Sequence, residues 1–465
     1  MISIFKNHNY VNEVQTISQL FFTGEKFIVA EELPTALGVS IETEIGDNAT
    51  ARVYDGGQLI AEHSISLKLP PINLPSRRVL MLALYHALQK VKPTHTPWGA
   101  LTGIRPSKMV REWLDTGWSD HKILQAMQDP LCCTLQKAEL ALQVAKAESA
   151  ITTRIFEAPN PVGIYISVPF CPTRCAYCSF NVNHNYGDIF EEYVNALLGE
   201  IKTKGQQKGV SSIYIGGGTP TVLPLPLLEK LLDAIATTFD AFSPCVEYTV
   251  EAGRPDTLTR KKLQLLRKYG VNRIAVNPQT LNDHTLTTIG RKHTAADFFA
   301  AFALAREYFP SINTDVIAGL PGETADDMRR TMEGLAALSP ENITVHTLAI
   351  KRASFINETK SEYLLPTGQV TEEMLDIAYK TCTCMGLAPY YLYRQKNMVG
   401  MLENVGYSKP GHECQYNVGM MAETQTILGY GAGAVSKFVQ DGKITREFNA
   451  KNPVVYVERR TAYAR

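Results

Sequence analysis

Neither sign of charge dominates this sequence, whose 465 residues carry 46 Lys plus Arg against 46 Asp plus Glu. A balanced chain has no global field to draw it to nucleic acid or to an anionic membrane. No apolar run is long enough to cross a bilayer, and the opening MISIFKNHNYVNE lacks the apolar segment of a secretory signal. The expectation is a cytoplasmic protein with no membrane span and no nucleic-acid partner. In that reducing setting its 9 cysteines are thiols or metal ligands rather than disulfides. With 45% hydrophobic and 20% charged residues, the composition is that of an ordinary globular protein. The length exceeds what one hydrophobic core serves, so two or three domains are expected.

What the chain does have is a cluster of thiols. The stretch PFCPTRCAYCSF sets Cys171, Cys175 and Cys178 in one short loop. A structural zinc site closes with four protein ligands, and no usual second pair follows. Three thiolates leave one coordination position to something else. Cys132 and Cys133 are adjacent in a helical pattern and read as buried and inert. Cys382 and Cys384 read the same way on another helical segment, while Cys245 and Cys414 stand alone.

Hydrophobic periodicity divides the chain. Residues 1–70 mix short β-rich runs with a hairpin-like NATARVYDGGQLIAEHSISL, its turn at Asp55-Gly56-Gly57, and form a small α/β module. Residues 71–155 turn helical in RRVLMLALYHALQKV, SKMVREWLDTG and LQKAELALQVAKAESA, a helical connector. Residues 156–350 alternate β-branched runs (IYISV, SIYIG, VEYTVE, RIAVN, INTDVIAG, ITVHTL) with helical stretches. Such alternation predicts an α/β fold, a parallel sheet covered by helices with its chemistry on the loops after the strands. The cysteine loop follows the first of these strands. Residues 351–465 form a C-terminal α+β segment expected to cover the substrate.

Thiolates at Cys-x3-Cys-x2-Cys suit an iron–sulfur cluster. With this spacing the chain resembles the radical S-adenosylmethionine superfamily from about Gly163 to Leu348. That resemblance implies a partial (β/α)6 barrel. It also implies a [4Fe–4S] cluster whose open iron takes the amino and carboxylate groups of S-adenosylmethionine. Gly216-Gly217-Gly218-Thr219-Pro220 ends the next strand, where successive glycines admit close approach to a ligand. By resemblance Gly217, Gly218 and Thr219 line the methionine end of the co-substrate, and Tyr165 also belongs to its site. Glu251, ending VEYTVE, matches the family carboxylate at the ribose hydroxyls. Gln279 and Arg291 match positions around the ribose and the methionine carboxylate, for which a guanidinium is the favoured clamp. Asp315 falls on a position near the nucleoside.

Finer features place the resemblance within the superfamily. IYISVPF, NRIAVNPQ, DVIAGLPGET and ILGYGAGAVSKF look like the oxygen-independent coproporphyrinogen III oxidases, also called coproporphyrinogen dehydrogenases. The KRAS and PGHECQYN segments look most like the longer variant of that group. The implied reaction removes a hydrogen from a propionate β-carbon, then carbon dioxide and one electron, leaving a vinyl group. It acts on a small-molecule tetrapyrrole and draws electrons from a donor protein such as flavodoxin or ferredoxin. Decarboxylating members carry a further cysteine two residues after the last cluster ligand, where this chain has Phe180. Phe there is typical of the related haem-chaperone branch. That branch, however, carries a histidine-bearing HN motif where this chain reads Gln415-Tyr416-Asn417. Gly429-Tyr430-Gly431-Ala432-Gly433 lacks a dinucleotide fingerprint and reads as a tight turn near the substrate. Lys351, Arg352, Arg394 and Lys396 are candidate partners for propionates.

Overall fold

The computed structural model describes residues 1–30, 38–68, 72–103, 105–157, 161–178, 189–205, 209–239, 246–351, 353–359, 363–440 and 442–463. Phe180, Cys245 and Arg352 lie outside them. The chain forms two compact units, Met1–Leu142 and Gln143–Arg465.

In the first unit, strands β1 (Ile2–Lys6), β2 (Phe27–Val29), β3 (Val39–Ile45), β4 (Asn48–Asp55) and β5 (Gln58–Ser66) make one sheet. Its order is β2-β1-β3-β4-β5. The hairpin read from the sequence is β4–β5, and both central residues of its turn take positive φ, 55° at Gly56 and 80° at Gly57. That is the twist-matching geometry only glycine adopts without strain. Helix Ser76–Val91 packs on β4 and β5. It buries Leu80, Leu84 and Leu88 along one stripe. Helices Pro106–Asp115 and Asp120–Gln128 follow, the second not anticipated by the periodicity. Cys132 and Cys133 do not continue a helix. They lie in the turn before helix Leu135–Ile155, Cys132 with φ of 60°. Burial pushes the Cys132 thiol up to about 11, in keeping with an unreactive group.

Among the described residues the second unit holds an eleven-stranded sheet. Its strands are β6 (Val162–Val168), β7 (Val210–Gly217), β8 (Glu247–Glu251), β9 (Arg273–Ala275), β10 (Ser311–Ala318) and β11 (Asn342–Thr347). After them come β12 (Ala388–Tyr393), β13 (Asn404–Ser408), β14 (Thr426–Tyr430), β15 (Val435–Gln440) and β16 (Lys443–Phe448). The order is β12-β13-β11-β10-β9-β8-β7-β6-β14-β15-β16. From β6 to β11 every neighbour pair is parallel. Their side chains are buried on both faces, as the near-continuous apolar runs require. Helices Ile189–Lys204, Leu225–Phe239, Arg260–Lys268, Ala295–Arg306 and Ala325–Leu338 return the chain between strands. Thr294 with Asp297, and Thr324 with Asp327, start the last two as reciprocal caps.

The parallel run does not close on itself. β14 joins β6 in parallel, Ile427 opposite Gly163, and β13 joins β11 antiparallel, Ile343 opposite Tyr407. The result is the expected partial (β/α)6 barrel, with the C-terminal α+β segment supplying strands to both edges. The Gly429–Gly433 turn belongs to this joint. A Cβ on Gly431 would sit 2.6 Å from the Ser167 carbonyl oxygen, and its N–H donates to Glu200 Oε2 at 2.9 Å. None of the turn's residues is among those lining the cavity described below; the turn packs beside β6. Among the described residues no helix is long and apolar enough to cross a membrane.

Candidate functional site

The C-terminal ends of β6 to β11 surround a cavity of about 440 Å3. That is within the range of small-molecule sites. Cys171, Cys175 and Cys178 all line it. Backbone bonds fix their loop against neighbouring strand ends. Thr219 N–H donates to the Phe170 carbonyl at 2.7 Å, Gly218 N–H to Val168 at 2.9 Å, and Ala176 N–H to Ile289 at 2.9 Å. Cys171 Sγ lies 3.3 Å from Thr219 Oγ1. Among the described residues no three His, Cys, Asp or Glu side chains converge on a single ion. Thiolates that each hold a different iron of one cluster need no common centre.

Gly217 and Gly218 line the same cavity, as does Thr219. Gly217 has φ of 102°, and a Cβ on Gly218 would stand 2.4 Å from the Phe170 carbonyl oxygen. The end of β7 therefore lies against the cysteine loop with no room for side chains. Glu251 closes β8 and accepts from Tyr214 OH at 2.6 Å. Burial pushes its carboxyl up to about 7, with Asp315 adding to the shift, while Tyr214 and the Gly217 N–H oppose it.

Gln279 takes φ of 70°, its backbone tied to β10 through the Asp315 carbonyl and the Ile317 N–H. Its side-chain Oε1 is buried with no hydrogen-bond partner. An acceptor orphaned in a cavity wall costs free energy unless a ligand satisfies it. Asp315 accepts from Asn277 Nδ2 at 2.8 Å and Asn313 Nδ2 at 2.7 Å, with His346 Nε2 at 3.7 Å.

Arg291 lines the cavity, but its Nη2 already donates to the Gly253 carbonyl at 2.7 Å and the Asn277 carbonyl at 2.6 Å. Nη1 reaches Tyr177 OH at 3.3 Å, and the buried Nε has no partner. Tyr165 stacks on Tyr214 and Tyr416 at centroid distances of 6.3 and 5.9 Å. Its hydroxyl lies beside the glycine cradle, 3.4 Å from where a Cβ on Gly217 would stand.

Residues 165–335 match the Radical SAM superfamily. Over 373 residues the chain is 39% identical to oxygen-independent coproporphyrinogen-III oxidase-like protein HemZ of Bacillus subtilis (strain 168), an alignment covering 78% of this chain and 74% of that protein. The chain belongs to this radical S-adenosylmethionine family. Its cofactors are a [4Fe–4S] cluster and S-adenosylmethionine. Heme chaperone HemW of the same organism is 35% identical over 276 residues, covering 58% of this chain and 69% of that one. Among solved structures, coproporphyrinogen III oxidase (HemN) from Escherichia coli superposes with a TM-score of 0.51. It is 23% identical and covers 68% of this chain and 72% of its own, a likeness of fold.

The cavity fits the family's cofactors on its own chemistry. Three thiols line one side, a side-chain-free cradle adjoins them, and an orphaned amide oxygen and a carboxylate lie beyond. Several cavity residues escaped the sequence reading, among them Asn277, His346 and Arg254. Asn277 and His346 sit beside Asp315, and Arg254 lines the wall next to the thiols. Asn277 stands two residues past the end of β9 and Arg254 three past the end of β8, and the loop after β9 also carries Gln279.

Proposed function

We propose that this protein decarboxylates coproporphyrinogen III to protoporphyrinogen IX without oxygen. The observation that carries this reading is Lys351. Lys351 lines the cavity, its ammonium has no side-chain partner among the described residues, and burial lowers its pKa. A cation left unpaired in a cavity wall is matched by an anionic ligand group, and a propionate is such a group. Arg394 donates to the Met401 carbonyl and does not line the cavity, and Lys396 is exposed.

When bound, the cofactors supply a 5′-deoxyadenosyl radical that takes one hydrogen atom from the propionate β-carbon. Carbon dioxide and one electron then leave the substrate, the electron to a one-electron acceptor, and a vinyl group remains. A flavodoxin- or ferredoxin-class protein supplies the reducing electron. In this reading Gln279 Oε1 and Glu251 accept from the nucleoside, and Asn277 and Asn313 hold Asp315 in place. The carbonyls of Gly253 and Asn277 aim Arg291, and Lys351 orients the propionate.

A second reading, haem delivery, draws support from the chaperone relatives. Asn417 lines the cavity from helix Gln415–Ala422, so the residue standing in for the HN motif faces the ligand space. Anaerobic incubation with coproporphyrinogen III, S-adenosylmethionine and a reductant separates the two. Protoporphyrin after oxidation is expected, with Lys351→Met raising KM about tenfold more than it lowers kcat, the equivalent of one charged contact. Stoichiometric haem binding without any protoporphyrin would replace the enzyme reading with delivery.

The raised Glu251 pKa gives a pH dependence. Ribose hydroxyls donate to an ionised carboxylate, and the ligand-free group is protonated below about 7. Affinity for S-adenosylmethionine is therefore full above that value and falls as pH drops through it. A roughly tenfold weaker Kd is expected at pH 6 than at pH 8, with one proton released on binding at the lower pH. Glu251→Gln should bind weakly at both. A wild-type profile that is flat would remove Glu251 from the ribose site.

A further inference from the structure

We propose that Arg254 sets the reduction potential of the cluster by holding a buried positive charge against the cysteine loop. Arg254 is 3% exposed and lines the same cavity as Cys171 and Cys178. Its Nη1 donates at 2.8 Å to Oγ1 of Thr173, a residue inside the Cys171–Cys175 segment. Thr173 Oγ1 in turn donates to the Gly290 carbonyl at 3.1 Å. The other edge of the guanidinium, Nε and Nη2, forks onto both oxygens of Asp256 at 3.0 Å each.

This ion pair is oriented. The Asp256 side chain is 30% exposed and the Arg254 side chain 3%. Water screens the carboxylate more than the buried guanidinium, whose charge therefore reaches further. The fork onto Asp256 and the bond to Thr173 occupy both edges of the planar group, so Arg254 acts through its charge rather than as a ligand. It is a positioning residue. Tying the loop alone would not need a charge, since a neutral amide can donate to Thr173, and burying a guanidinium is costly.

A cation near an iron–sulfur cluster favours the state with one more electron, so the potential rises. The inference rests on the family's cofactor and is independent of the tetrapyrrole reading. Arg291 supplies a second buried cation against Tyr177 and is unchanged in every variant used below.

The test is a reductive titration of the reconstituted cluster with dithionite as electron donor, read by visible absorbance and by the spin signal of the reduced form. Arg254→Met is expected to lower the midpoint potential by about 59 mV, a tenfold change in the reduction equilibrium for one electron. Arg254→Lys keeps the charge and should stay near wild type. Asp256→Asn removes the opposing anion while leaving the Thr173 bond, and should raise the potential. Should Arg254→Met fail to take up iron, Asp256→Asn decides alone. Its potential within error of wild type would overturn the proposal, as would equal shifts in Arg254→Met and Arg254→Lys.

Discussion

Replacing Cys175 by alanine is expected to leave protein without bound iron after anaerobic reconstitution. Cys382→Ser and Cys414→Ser should retain it at the wild-type level. Cys175 is 9% exposed and sits between its two partners on a loop pinned at Phe170, Ala176 and Thr173. Removing one thiolate of three leaves two protein ligands, and among the described residues no other cysteine lines the cavity. Cys382 is buried on helix Gly368–Cys384 and does not line the cavity. Cys414 does not line the cavity either, its Sγ 3.2 Å from Glu247 Oε1. Iron and sulfide per chain, with the visible absorbance, make the measurement. Full iron content in Cys175→Ala would remove the cysteine loop as the cluster site.

The parallel strands were legible because burial on both faces writes apolar runs that helical stretches interrupt. The thiols were legible because their spacing falls in one loop. Contacts made between distant strands were not. β14 lies beside β6 although Gly163 and Ile427 are far apart in the chain, and nothing in ILGYG distinguishes a partner strand from a turn. Likewise Asn277 clasps Asp315 across two strands, and a lone asparagine after β9 announces no such partner. The placing of Cys132 on a helix failed for a local reason. Pro130 lies just before it, and its own φ of 60° breaks the helical geometry that the flanking apolar residues suggested. Tyr165 sits on the expected strand, but its stacking on Tyr214 and Tyr416 beside Gly217 joins elements far apart in the chain, which its sequence neighbours do not announce.

Gly218→Ala should damage both cofactor functions at once, more than the addition of one methyl would suggest. The added Cβ would lie 2.4 Å from the Phe170 carbonyl oxygen and 2.7 Å from its nitrogen. These are backbone atoms, so no side chain can swing away to make room. Relief requires the end of β7 and the cysteine loop to separate. That separation breaks the bonds from Thr219 N–H to Phe170 and from Gly218 N–H to Val168. Overpacking of this kind costs about 1–3 kcal/mol. Because the displaced segment carries Cys171 at one end and the glycine cradle at the other, iron content should fall. The Kd for S-adenosylmethionine in whatever protein still holds iron should rise at least tenfold, about 1.4 kcal/mol. Gly199→Ala is the matched control. It lies within helix Ile189–Lys204 with nothing within 4 Å of its Cβ position, so it should be stabilising by up to about 1 kcal/mol and leave both readings unchanged. Wild-type iron content and affinity in Gly218→Ala would mean that the contact between β7 and the cysteine loop does not shape the site.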